Sequence, residues 1–194
     1  MLELDAVNRI LTSAQMPVVA SLSSPDEFTS KAITILADER KRILEQGWDF
    51  NQDYDYTLTP TAGEYILPTT PWAVLAIDIP SWNSAGKDIV QRDGQLYDKT
   101  NNTFTFTETT LKATITWDIA FVDLPLFAQE YVVCCSAVRF GMHVAVAPEI
   151  VQFLRLEESK AWARMKQADT QQSEASPLRR YPLAMIASKW PPIR

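Results

Sequence analysis

One histidine and two cysteines are all that this 194-residue chain offers for soft-ligand or imidazole chemistry. With His143 alone, no pair of histidines can hold a metal, and any nucleophilic triad would have to use that residue. Cys134 and Cys135 are adjacent in sequence, and adjacent cysteines rarely pair because the bridge is strained. No disulfide framework is therefore expected, which suits a reducing compartment such as a cytoplasm. There is no Gly-x-Ser-x-Gly elbow, no glycine-rich phosphate loop and no Cys-x-x-Cys pair. The longest nearly uncharged apolar run, residues 131–138, is far short of the ~20 residues that cross a bilayer. The opening Met1-Leu2-Glu3-Leu4-Asp5 is acidic and mixed, unlike a signal peptide. No membrane partner and no cofactor are expected.

Acidic residues stop short of the end of the chain. None follows Glu174, whereas Arg179, Arg180, Lys189 and Arg194 do. Residues 1–174 carry 24 acidic and 14 basic side chains, and the last twenty carry four basic ones. A body so charged repels nucleic acid and argues against tight DNA binding, although DNA could slide past it without sticking. Apolar residues make up 46% of the chain, enough for a real core, and six Trp, six Tyr and eight Phe add bulk for core and interfaces.

The apolar periodicity divides the chain. Leu4, Val7, Ile10 and Leu11 predict a short helix over residues 4–14, ended by Pro17. A second helix is predicted over 25–46, with Ser24 as N-cap, Pro25 as first residue, Glu27 as capping-box partner and Gly47 as the stop. The period then changes to alternation. Tyr54, Tyr56 and Leu58 alternate with Asp55, Thr57 and Thr59, and Val74, Ala76 and Asp78 alternate with Leu75, Ile77 and Ile79. Asp93-Gly94 between 89–92 and 95–98 predicts a hairpin. Residues 103–107 read as a further strand, and 111–122 as the longest. Helical signals return from Leu126, apolar nearly all round to residue 146, and again from Pro148 to about 173. The expectation is an α+β fold. Residues 1–49 and 123–173 form a helical bundle, and an antiparallel β module, 50–122, is inserted between them. Residues 174–194, with Pro177, Pro182, Pro191 and Pro192, read as an extended arm.

Candidate chemistry is thin. His143 on an apolar helix reads as a packing residue, and Cys134 as an inert core thiol. Asp49 to Asp55 superficially resembles a calcium loop, but Tyr54 stands where glycine is required and Pro60 where glutamate is. Asp53 and Asp55, on one strand face, with Asp78, Asp118 and Asp123, are candidate carboxylates for a carbohydrate hydrolase, which needs two at about 5–9.5 Å. A glycan-binding module without turnover is the third class. Interface features stand out more: a capped amphipathic helix, an all-apolar helix, a Thr-, Tyr- and Trp-rich β module, and an arm with apolar anchors. Arg179, Arg180, Trp190 and Ile193 are the candidate partner-binding residues of that arm.

Several stretches also carry a resemblance. They are Ala6-Val7-Asn8-Arg9-Ile10-Leu11, Pro17-Val18, Gly47-Trp48-Asp49-Phe50-Asn51, Asp93-Gly94-Gln95-Leu96-Tyr97-Asp98-Lys99-Thr100, Asp123-Leu124-Pro125 and Ala147-Pro148-Glu149. In order and spacing, from about residue 5 to 170, they resemble the tail tubular protein A family, the gatekeeper or head-to-tail adaptors of short-tailed phages (Autographiviridae). The resemblance implies a structural virion protein without catalysis: a ring of twelve subunits between the portal protein and the tail nozzle. The helical part then faces the portal, the β part faces nozzle and tail fibres, and DNA crosses the central channel without specific binding. It implies nothing for the arm after Glu174.

Overall fold

The computed structural model describes residues 1–80 and 88–174. Arg179, Arg180, Trp190 and Ile193 lie outside them.

Four helices, α1 (Glu3–Ser13), α2 (Glu27–Leu44), α3 (Leu126–His143) and α4 (Pro148–Glu174), come from the two ends of the chain. Between them run β1 (Gln52–Leu58), β2 (Ala73–Asp78), β3 (Ile89–Arg92), β4 (Gln95–Asp98) and β5 (Leu111–Asp118). The α+β reading holds. Helix α3 is the centre of the bundle and packs against α1, α2 and α4. That explains its nearly uniform apolarity, since three neighbours bury most of its circumference. Arg139 is one of its few charged residues, and it is used: Nη1 donates to Glu39 Oε1 at 3.0 Å, and Arg42 Nε donates to Glu39 Oε2 at 2.8 Å. The buried Glu39 carboxylate is thus satisfied from both α2 and α3.

The N-terminus of α2 differs from expectation. Asp26, not Ser24, is the N-cap, and its Oδ1 accepts from the Thr29 N–H at 2.7 Å. Thr29, through its side-chain hydroxyl first and its backbone N–H second, lowers the Asp26 carboxyl from its ordinary value. The helix also stops at Leu44, with Gly47 at φ +72° in the left-handed turn beyond it.

Strands β1, β5 and β2 form an antiparallel sheet in that order, and β3–β4 a hairpin. Leu111, Ala113, Ile115 and Trp117 of β5 are buried as their alternation predicts. Both edge strands slip by one residue against β5. On β1, Asp53 lies opposite Ile115 but Tyr56 opposite Ala113; on β2, Val74 lies opposite Trp117 but Ala76 opposite Thr116. Each slip inserts one extra residue and reverses the alternation downstream. Hence Val74 and Ile79, out of step in sequence, are both buried. For the same reason Asp53 and Asp55 do not share a regular strand face; Asp55 sits in the irregularity at φ +55°. Residues 103–107 form no strand and make only isolated bridges, Thr103 to Asp98 and Thr105 to Glu64. Strand β5 ends at Asp118, because a 3₁₀ turn, Phe121–Asp123, follows.

Helices and sheet share one continuous apolar core, from Val7 and Ile10 through Ile43 and Trp48 to Ile115, Phe140 and Met165.

Candidate functional site

The Gly47–Asn51 segment is where bundle and sheet meet. Gly47 turns the chain out of α2, and a Cβ there would lie 2.3 Å from Gln52 Nε2. The segment then coils into a 3₁₀ turn, Asp49–Asn51. Asn51 is 1% exposed and fully engaged. Its Oδ1 accepts from the Trp48 N–H at 2.7 Å. Its Nδ2 donates to the carbonyls of Leu44 (3.0 Å) and Trp117 (3.2 Å), tying the end of α2 to β5. The Trp48 indole donates to the Ile43 carbonyl at 2.8 Å and meets Trp162 of α4 edge-on at 5.4 Å. The Asp49 N–H donates to Asp169 Oδ1, also on α4, at 2.8 Å. A second clamp is Arg40: Nη1 donates to the Ile119 carbonyl at 2.6 Å, and Nη2 pairs with Asp118 at 2.9 Å. Hydrogen-bonded polar groups buried at a junction fix one arrangement of the elements they join.

The candidate carboxylates are spread over separate duties. Asp53 Oδ2 accepts from the Trp117 indole at 2.8 Å, Asp118 faces Arg40, and Asp123 Oδ2 accepts from the Trp72 indole at 3.4 Å. Asp55 and Asp78 are exposed on different edge strands. Among the described residues no group of three or more His, Cys, Asp or Glu is placed to hold a metal. His143 is not a packing residue. It is exposed in the last turn of α3. Cys135 is buried and its Sγ donates to Glu158 Oε1 at 3.4 Å; burial pushes its thiol up to about 12. Burial also raises the half-buried Cys134, so neither is a ready nucleophile.

What the surface does present is apolar. At the start of α3, Gln129 is buried and donates to the carbonyls of Phe121 and Val122, while its Oε1 accepts from the Met1 amine at 2.8 Å. Leu2, Val122 and Leu126, next to these groups in the chain, are large and exposed, Leu126 by 62%. At the other end of α3, Arg155 of α4 reaches Met142 Sδ at 3.9 Å. Met142, Phe153 and Leu156 are exposed there, Phe153 by 61%. Leu126 and Met142 are sixteen residues apart on one helix, so the two patches are ~24 Å apart. Sequence reasoning marked α3 as apolar but did not find these ends, because the exposed side chains are indistinguishable by composition from those that pack.

An α+β framework with a hydrogen-bonded polar junction and large apolar side chains exposed near both ends of α3 has the features of a protein that assembles with others. A family model described as tail tubular protein matches residues 4–175. Tail tubular protein A of Klebsiella phage KP34 is 33% identical over 134 residues, 68% of this chain and 67% of that protein. The chain belongs to the tail tubular protein family and is a structural protein of a phage tail.

Proposed function

We propose that the chain is the adaptor ring of a short phage tail, about twelve copies placed head-to-tail between the portal protein and the tail nozzle. In this reading the helical part, 1–49 with 123–173, faces the portal, and the β part, 50–122, faces the nozzle and tail fibres. The subunits assemble in the host cytoplasm, dock after genome packaging and continue the DNA channel.

The observation that carries this reading is the pair of unlike apolar patches at opposite ends of α3. A ring without mirror contacts needs two different surfaces on each subunit, whereas a two-fold dimer needs one self-complementary surface. The charge supports the same role. Residues 50–122 carry nine acidic and four basic side chains, and carboxylates facing the channel keep DNA from adhering.

Mixing the protein with its cognate portal ring and imaging by electron microscopy tests the proposal. The expected result is a collar of density on one end of the portal. Persistent failure to bind portal at micromolar concentration, with nozzle present or absent, refutes it. For the channel, reversing Asp53, Asp55 and Asp93 to Lys is expected to slow DNA ejection from assembled particles; unchanged ejection kinetics sink that role.

A further inference from the structure

A cavity of about 550 Å³ opens where α1 and α4 leave a strip of α3 uncovered. Its floor is apolar: Val133, Cys134 and Ala137 of α3, with Leu154 of α4. Its rim is polar, with Asp5 and Arg9 on α1 and Glu157 on α4. Glu130 and Glu158 also act on the Cys134 thiol from close by, so acidic groups outnumber Arg9 around the floor. A strip of this kind, open along the outside of a bundle, fits a short segment with apolar anchors and positive charge.

The chain carries such a segment. We propose that residues 183–190 of the chain's own C-terminal arm occupy this groove in the free subunit. They read Leu-Ala-Met-Ile-Ala-Ser-Lys-Trp, with four large apolar side chains, one lysine and no acid. The arm begins at the end of α4, whose earlier turns form one wall of the groove. From Leu154 to Glu174 the helix covers ~30 Å. The nine residues from Glu174 to Leu183, if extended, also reach ~30 Å. The arm can therefore return along α4 and deliver Leu183 and Ile186 at the level of Leu154, with Lys189 towards the acidic rim. Expected contacts of the arm with portal or neighbour then describe a later state, after the groove releases it.

Cys134 on the groove floor is the reporter, since Cys135 is buried and bonded to Glu158. In the full-length protein, alkylation of Cys134 by iodoacetamide is followed by mass spectrometry. The triple variant Leu183→Ser, Ile186→Ser, Trp190→Ser, which leaves the groove itself untouched, is expected to react at least about tenfold faster, the factor that corresponds to 1.4 kcal/mol of docking. A rate equal to that of the parent overturns the proposal. Protection is also expected to be independent of protein concentration. Protection that appears only on raising concentration assigns the groove to a second copy and overturns it as well. In the variant Ile186→Cys, mild oxidation is expected to give an intrachain disulfide to Cys134; an exclusively interchain product again refutes docking within one chain.

Discussion

Asn51 offers a quantitative test of the junction. Replacing it with alanine removes three buried hydrogen bonds at once, those with the Trp48 N–H and with the Leu44 and Trp117 carbonyls, of which the Leu44 carbonyl keeps the Gly47 N–H as a donor. Each unsatisfied buried group costs about 1–3 kcal/mol. Water entering the vacated volume recovers some of this, so the expected loss is about 3–5 kcal/mol, at the severe end for a single substitution. For a chain of this size that lowers Tm by roughly 10 °C. The variant Asn51→Asp sharpens the test. It keeps an acceptor for Trp48 but aims a buried carboxylate at two carbonyl oxygens, so it is expected to be worse than alanine. Urea denaturation with a common slope reads the difference from the midpoints. A loss below about 1 kcal/mol for Asn51→Ala, or an Asp variant as stable as the parent, would refute the idea that this side chain locks bundle to sheet.

Other perturbations address neighbouring features. Arg40→Met keeps the aliphatic stem but drops the charged bonds to Ile119 and Asp118, and is expected to cost about 2 kcal/mol by the same assay. Gly47→Ala places a Cβ at positive φ and against Gln52, and should cost about 1–2 kcal/mol; no loss would show that the turn relaxes freely. Because burial holds Cys135 protonated up to about 12, the unfolded chain releases its thiol proton first as pH rises. Stability should therefore fall from about pH 9 upward, and Cys135→Ser should lessen that fall in urea midpoints taken between about pH 8 and 10.5. Leu126→Lys and Phe153→Lys alter exposed side chains, so Tm should hold within about 2 °C while incorporation into portal-bound assemblies drops; unimpaired incorporation of both would dismiss the patches as interfaces.

The helices were legible in the sequence because α1, α2 and α4 carry apolar residues at helical spacing and α3 is apolar nearly all round, and Asp93-Gly94 marked its hairpin through the backbone it favours. The cap of α2 was not, since Ser24, Pro25 and Asp26 place two good capping side chains within one turn, and the choice depends on which amide each reaches. The edge-strand slips were present as a change of phase between Val74 and Ile79, but an alternating pattern read with a fixed period cannot show where an extra residue enters. Tyr54 and Tyr56 looked equivalent for the same reason. In the candidate site, Gly47 to Asn51 was conspicuous as a stretch, yet nothing local shows that Asn51 reaches the carbonyl of Trp117, sixty-six residues away. The expected packing role of His143 failed because position 143 falls on the outward side of α3, while Phe140, Val144 and Val146 around it pack against the core. The arm residues Arg179, Arg180, Trp190 and Ile193 lie beyond the described residues, and of these the alkylation experiment addresses Trp190.

The slips in β1 and β2 have a consequence for how copies of this chain can meet. Both flanks of the three-stranded sheet are irregular, with Asp55 projecting at the irregularity on one side. A kinked, charged flank is a poor template for another strand, since backbone groups no longer fall in step with an incoming ladder. Subunits crowded side by side are thereby discouraged from fusing into an open-ended sheet. In the proposed ring, association would then be left to side-chain surfaces, whose number and angle can close on themselves.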